Sequence, residues 1–212
     1  DAAHELRTPL TALRLNLEKL ESSDPEKFRE LTAAVDRMVH LVEQMLLLSR
    51  VDAGVGFSPE YVNLSDIVAQ SIADVSPLAL RKGIEPSLED PTGQAMISGQ
   101  EALINTLMRS LLANAIQYSP EGIRVDTHLD AAGNGFGIRI CDQGPGIPAS
   151  QREKALGRFG RLDQRLGSGA GLGLAISRRI AELHGGELTL EDRSDGQPGL
   201  CVRIWLPVRA PA

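Results

Sequence analysis

Two different apolar periodicities divide this chain of 212 residues, and they constrain its fold more than any other feature. Through the first fifty residues or so, apolar side chains recur every three or four positions, which is the period of an α-helix. Asp24 followed by Pro25 interrupts this pattern and predicts that a second helix begins there. We therefore predict a helical hairpin over residues 1–53, completed to a four-helix bundle by a second copy because two helices alone bury little apolar surface. The apolar stripe of the second predicted helix consists of Phe28, Leu31, Val35, Met38, Val42 and Met45.

Beyond a predicted linker at residues 54–60, the pattern changes to short strands that alternate with helices. The strand from residue 124 to 129 is the clearest, because Val125, Thr127 and Leu129 fall on one face. Strands and helices segregate into one layer each, so residues 61–212 are expected to form an α/β sandwich and the whole chain an α+β fold. The strand candidates are 61–63, 85–89, 95–98, 124–129, 137–141, 187–191 and 200–206, and the helix candidates are 65–81, 100–118 and 170–184.

Composition excludes some classes of function. The net charge of −6 and the aromatic content of 3% argue against nucleic-acid binding, which needs basic and stacking side chains.

Cys141 and Cys201 lie in apolar, strand-like contexts without CxxC spacing, and we interpret them as separate buried thiols of a reducing compartment, with a disulfide less favoured. No apolar run reaches the length of a membrane span. The chain begins inside a patterned helix, so we expect it to be part of a longer protein.

The first candidate for chemistry is His4, in the string HELRTPL. His4 lies one residue off the apolar stripe, so its imidazole is expected to project into solvent, largely neutral and able to attack phosphorus. Glu5 can accept the imidazole proton, and Thr8 lies one helical turn further on. The alternative is a surface histidine without a chemical role, beside a helix that bends at Pro9.

The second candidate is the segment DQGPGI, residues 142–147, directly after a predicted strand. Asp142 can accept a hydrogen bond from an exocyclic amine such as that of adenine. Gly144 and Gly146 allow the backbone to approach a ligand closely. The alternative is an ordinary tight turn, since glycine and proline are common turn residues.

A glycine-rich loop and an asparagine complete the set. Gly169, Gly171 and Gly173 precede a helix, where free N–H groups and the helix dipole favour phosphate. The loop matches neither a dinucleotide fingerprint nor a Walker A motif, and the alternative is a flexible linker. Asn114 stands on an otherwise apolar helix and can ligate a phosphate-bound Mg²⁺, although a buried, hydrogen-bonded asparagine is the alternative.

Together and in this order, these motifs closely resemble those of the sensor histidine kinase family, over nearly the whole chain. The subgroup that they resemble pairs with winged-helix, DNA-binding response regulators. Five strings match the H, N, G1, F and G2 boxes in turn: HELRTPL (4–10), SLLANAIQYSP (110–120), DQGPGIP (142–148), LGRFGR (156–161) and GAGLGLAI (169–176).

The resemblance implies a role for each matching residue. His4 would be the phosphoacceptor, Glu5 its base, Asn114 the Mg²⁺ ligand and Asp142 the adenine contact. Arg158, Phe159 and Arg161 would belong to a mobile lid. Two positions depart from the family pattern, Ser110 in place of an asparagine and Gln117 in place of a cation. The implied nucleotide-binding residues are Asn114, Gln117, Tyr118, Asp142, Gly144, Gly146, Ile147, Arg158, Phe159, Arg161, Gly169, Gly171, Leu172 and Gly173.

The resemblance also implies cofactors and partners. ATP and Mg²⁺ are expected, with a homodimer, a response regulator that receives the phosphate and is dephosphorylated with the help of Thr8, and an anchor in the bacterial inner membrane that places this portion in the cytoplasm. Two other classes stay open. One is an ATP-driven clamp like gyrase and Hsp90, and the other is a pseudokinase that only dimerises.

Overall fold

A computed structural model describes residues 25–160 and 171–208 of the chain. The chain divides into two compact units, residues 1–53 and 54–212. In the first unit, helix α1 spans Pro25–Ala53 and begins at the predicted proline. Glu26 in its first turn and Arg50 in its last have the charges that the helix dipole favours at each end. The first helix of the predicted hairpin lies outside the described residues.

The second unit contains seven strands and four further α-helices within its described part. The helices are α2 (Leu64–Arg81), α3 (Glu101–Tyr118), α4 (Arg152–Leu156) and α5 (Gly173–Leu183). The strands are β1 (Glu60–Asn63), β2 (Glu85–Glu89), β3 (Met96–Gly99), β4 (Arg124–Ala132), β5 (Gly135–Cys141), β6 (Glu187–Glu191) and β7 (Cys201–Pro207).

Within the described residues, the main sheet has five strands in the order β2-β4-β5-β7-β6. Strand β2 pairs with β4 in parallel, and the other pairs are antiparallel. One face of the sheet packs on the helices, where Leu129, Ile138 and Ile204 have no exposed surface. The opposite face carries exposed Arg139 and Arg203. Helices and strands thus form two layers, which confirms the predicted α/β sandwich.

Helix α3 lies between α2 and α5 and forms the centre of the core. Ile104, Met108 and Leu112 are fully buried there. The ladder of β1 and β3 makes a second, two-stranded sheet at the start of the unit. Asn63 joins this sheet to α2, because its Oδ1 accepts hydrogen bonds from the backbone N–H groups of Ser65 (3.2 Å) and Ala95 (3.0 Å).

The end of α5 matches the glycine signal in the sequence. Gly185 has a φ of 75°, which a left-handed residue at a helix end requires. The N–H of Gly186 donates to the carbonyl of Ala181 at 2.9 Å, and the N–H of Gly185 donates to that of Glu182 at 2.8 Å. At its other end, α5 begins at Gly173 and not near residue 170, so part of the glycine-rich string forms no helix.

The interpretation of the two cysteines as separate thiols is wrong. Cys141 and Cys201 lie directly opposite each other in the antiparallel β5–β7 pair, and they form a disulfide. The two residues are 60 positions apart in sequence, and only the pairing of their strands brings them together.

No helix among the described residues is long and apolar enough to cross a membrane.

Candidate nucleotide-binding site

The last turns of α3 present the first group of site residues. Asn114 is half-buried, and Gln117 and Tyr118 are exposed. Lys82 holds this helix end, because its Nζ donates to the carbonyls of Ile116 (3.0 Å), Gln117 (2.8 Å) and Ser119 (2.7 Å). A cation at a helix C-terminus satisfies carbonyl groups that the helix itself leaves unbonded. Lys82 therefore fixes the backbone from which Tyr118 extends.

Asp142 is the buried carboxylate of the site. It follows β5 directly and is only 6% exposed. Its Oδ1 accepts hydrogen bonds from the backbone N–H groups of Gly144 (2.8 Å) and Leu200 (3.1 Å). Burial raises the pKa of Asp142, and the two N–H groups and the charge of Arg193 act in the opposite direction. Both backbone bonds end on the same oxygen, which orients the carboxylate.

Only glycine fits at position 144, because the backbone there closely approaches the end of α3. A Cβ atom at this position would lie 2.7 Å from the carbonyl oxygen of Tyr118 and 3.1 Å from Oδ1 of Asp142. Any side chain here would push the segment away from α3 or displace the carboxylate. The structure thus brings the end of α3 and the DQGPGI segment into contact.

The start of α5 forms the third side of the site. Leu172 is the N-cap residue, and its side chain does not cap the first N–H groups of the helix, which are the donors that favour a phosphate ligand. A Cβ at Gly173 would lie 3.0 Å from Oγ of Ser110 and 3.4 Å from Nδ2 of Asn114. The helix N-terminus therefore lies against the residue predicted to bind Mg²⁺.

The remaining predicted site residues lie beside these elements, beyond α4 or outside the described residues. Gly146 and Ile147 continue the segment that begins at Asp142, and Gly171 has a φ of 72° just before α5. Arg158 and Phe159 are both exposed beyond α4. His4, Glu5, Thr8, Arg161 and Gly169 lie outside the described residues.

Sequence reasoning missed several residues that support the site. Arg193 donates from Nη1 to the carbonyl oxygen of Asp142 at 3.0 Å, and Arg152 donates from Nε to that of Ile147 at 3.0 Å. Lys82 and Leu200 support it in the same indirect way. No motif marks these residues, because each acts through a backbone group across a distance that depends on the fold.

Comparison with known proteins identifies the family. Residues 99–210 match the family of histidine kinase-, DNA gyrase B- and HSP90-like ATPases, and residues 1–54 match the His kinase A (phospho-acceptor) domain. The chain belongs to the sensor histidine kinases. The match over residues 99–210 covers α3, the Asp142 segment and α5, and membership of an ATPase family implies that this sensor histidine kinase binds ATP.

Individual relatives agree with this assignment. The sensor protein BasS of Salmonella typhimurium is 36% identical over 92% of this chain and 55% of its own length. The sensor protein kinase PmrB of Pseudomonas aeruginosa is 34% identical over the whole of this chain and 45% of its own length. Among solved structures, the mycobacterial sensor histidine kinase MprB is 30% identical with a TM-score of 0.62, over 73% of this chain and 99% of that one. The chain spans about half the length of the curated relatives it matches.

Proposed function

We propose that this chain uses ATP to phosphorylate its own His4. The observation that carries the proposal is that α3 contacts two candidate ligand-binding elements. Its Tyr118 lies against Gly144, beside the buried carboxylate of Asp142. Its Asn114 lies against Gly173 at the N-terminus of α5. The carboxylate suits the exocyclic amine of adenine, and the helix N-terminus suits phosphate oxygens. Each end of ATP thus has a chemically matched partner.

Asn114 also fits a Mg²⁺ ion bound to the phosphates. Within residues 25–160 and 171–208, no cluster of three acidic, histidine or cysteine side chains could hold a metal by itself. Mg²⁺ in nucleotide sites is commonly held by one or two protein oxygens together with phosphates and water. A single amide oxygen at Asn114 meets that requirement, and Mg²⁺ there would neutralise charge on the phosphates.

The chemical step that we propose is an in-line transfer to His4. An imidazole nitrogen attacks the γ-phosphorus, the bond from phosphorus to the β,γ-bridging oxygen breaks, and ADP leaves with that electron pair. Glu5 accepts the proton of the imidazole. Tyr118, Ile147 and the lid residues Arg158, Phe159 and Arg161 are proposed to line or close the nucleotide pocket, with Gly169 in the loop before α5.

The phosphate then passes from His4 to an aspartate of a response regulator, which we infer from the kinase family and the phospho-acceptor match. Thr8, four residues after His4 in the sequence, is proposed to orient the water that later removes this phosphate from the regulator. The names of the relatives, sensor proteins of about twice this length, support a sensor region outside the chain and an anchor in the inner membrane, with this portion in the cytoplasm.

A homodimer is proposed from the surface of α1. Leu31, Met38 and Met45 are 42%, 44% and 47% exposed and follow one another at intervals of seven residues. An apolar stripe at this spacing is the packing surface of helical bundles. Two copies of the hairpin at residues 1–53 would cover the stripe.

Labelling with γ-labelled ATP and Mg²⁺ tests the proposal against its two alternatives. A kinase yields labelled protein whose label is lost in acid and kept in alkali, as expected of phosphohistidine. A conformational clamp yields free phosphate and unlabelled protein, and a pseudokinase yields neither product. Either of the last two results would refute the proposed function.

A further inference from the structure

The connection between β6 and β7 lies directly against the segment that contains Asp142. This connection comprises residues 192–200. A Cβ at Gly199 would lie 2.1 Å from the carbonyl oxygen of Asp142, and a Cβ at Gly146 would lie 2.8 Å from the carbonyl oxygen of Gly199. Gly199 has a φ of 144°, a conformation that side chains disfavour. The two segments are therefore packed backbone to backbone.

Arg193 connects this loop to the first residue of the segment. Its Nη1 donates to the carbonyl oxygen of Asp142 at 3.0 Å. Its Nε and Nη2 donate to the two carboxylate oxygens of Asp195, which holds the guanidinium plane in place. The Arg193 side chain is only 13% exposed, whereas that of Asp195 is 47% exposed. The pair lowers the pKa of Asp195 to about 2, chiefly through the Arg193 hydrogen bond.

Arg152 holds the other end of the same segment. Its Nε donates to the carbonyl oxygen of Ile147 at 3.0 Å, and its Nη2 is paired with Asp192. Asp192 is the sequence neighbour of Arg193. Two arginines from outside the segment thus bind its first and last carbonyls, and both are joined to the β6–β7 connection.

This arrangement controls where the carboxylate of Asp142 points. Oδ1 accepts hydrogen bonds from two backbone N–H groups, one of Gly144 and one of Leu200. Leu200 belongs to the same connection as Arg193, so a shift of that connection moves both the main chain and the carboxylate of Asp142. A buried acceptor discriminates strongly only when its geometry is fixed.

We propose that Arg193 is a positioning residue for adenine recognition, acting through the main chain of Asp142, with Arg152 as a second support at Ile147. The proposal rests on the proposed function of Asp142 as the acceptor for the adenine amine. Arg193 is not expected to touch the nucleotide. Its loss should therefore lower affinity only for ligands that carry the amine.

Calorimetric titration of the full chain with two nucleotides tests this directly. ATP carries the exocyclic amine, and purine riboside 5′-triphosphate lacks it. Arg193→Ala should weaken ATP binding by about tenfold, since one charged hydrogen bond is misaligned, and should change binding of the purine analogue by less than about twofold. Arg193→Lys restores one donor and should recover part of the ATP affinity.

Arg203→Ala is the matched control. Arg203 lies on β7 on the face of the sheet away from the helices, its side chain is 52% exposed, and its described ion pair is with Glu191. It should bind both nucleotides like the unaltered chain. Asp195→Asn keeps Arg193 but weakens the hydrogen bonds that orient it, so the ATP-selective loss of affinity should be smaller than in Arg193→Ala. This variant provides the test if Arg193→Ala fails to fold.

The outcomes are separable. Unchanged ATP binding in Arg193→Ala, or in Asp195→Asn where the alanine variant does not fold, would overturn the proposal. Equal weakening of both nucleotides would also overturn it, because it would show a general loss of pocket structure. If the unaltered chain bound ATP and the purine analogue equally, the amine would not be recognised, and the proposed role of Asp142 itself would be wrong.

Discussion

At the scale of single residues, Asp142 shows how burial and hydrogen bonding give one side chain a defined direction. The carboxylate is 6% exposed, and its Oδ1 is occupied by two backbone N–H groups. The sequence motif predicts the residue and its adenine partner, but one of the two N–H groups that orient the carboxylate belongs to Leu200, in the β6–β7 connection 58 residues away. The direction of the carboxylate is thus a property of the fold.

Asp142→Asn should weaken ATP binding by about ten- to a hundredfold, a range typical for a lost hydrogen bond to a charged group. The amide oxygen can replace Oδ1 as acceptor for Gly144 and Leu200. Its NH₂ group then occupies the position of Oδ2 and opposes the donor of the adenine amine. Calorimetry measures the affinity, and circular dichroism checks that the fold is retained. Native affinity in a folded variant would show that adenine binds elsewhere.

His184 is a second residue whose surroundings determine its chemistry. It is 4% exposed, its Nδ1 lies 2.7 Å from the carbonyl oxygen of Ile180, and its Nε2 lies 3.0 Å from the backbone nitrogen of Gln100. A carbonyl accepts and an N–H donates, so these partners require a neutral ring with its proton on Nδ1. Phe57 contacts the same ring edge-on, with centroids 5.0 Å apart.

The free energy of unfolding should therefore fall as pH drops below about 6.5. Burial lowers the pKa of His184 from its ordinary value of 6.5, and the bond to Ile180 opposes this in part. The unfolded chain takes up a proton near that ordinary value while the folded chain does not, so acid favours unfolding until the lower folded pKa is passed. Urea denaturation at a series of pH values measures the slope. His184→Gln should lack this contribution, and an identical slope in the variant would contradict the assignment.

At the scale of elements, the pairing of β5 with β7 brings together residues that are remote in sequence. It places Cys141 opposite Cys201 and Asp142 beside Leu200. The alternation of apolar residues predicts that both strands exist, and their burial follows from it. Their adjacency does not follow, because strand order depends on how the helices cover the sheet and not on any local pattern.

Reduction of the Cys141–Cys201 disulfide should lower the free energy of unfolding by about 2 to 4 kcal/mol, because the cross-link restricts the unfolded chain. Denaturation with and without reductant measures the difference. A Cys141→Ser, Cys201→Ser double variant should not respond to reductant, which controls for other effects of the reagent. Two thiols titrated in the denatured, unreduced protein would show that the disulfide is absent.

Helix ends were predictable from sequence to different degrees. Pro25 and Gly185 mark the start of α1 and the end of α5 as expected, since each residue has a conformational reason to stand there. The predicted start of α5 at residue 170 is three residues too early, because a glycine-rich string gives no sequence signal for where its helix begins. The capping of α3 by Lys82 has no local signal at all, because 34 residues separate donor and first acceptor.

At the scale of the whole molecule, the chain is organised as two units, residues 1–53 and 54–212. The phospho-acceptor match falls in the first and the ATPase match in the second. The proposed nucleophile therefore belongs to a different unit from Asn114, Asp142 and Gly173. This division allows one function to be removed without the other.

The most direct test compares His4→Gln with the unaltered chain in two measurements on one preparation. Autophosphorylation with γ-labelled ATP and Mg²⁺ should fall to background in the variant, because glutamine lacks a nucleophilic ring nitrogen. The dissociation constant for ATP should stay within about twofold, since the proposed nucleotide contacts lie in the other unit. Acid-labile labelling that persists in His4→Gln would contradict the account, because another residue would then be the phosphoacceptor.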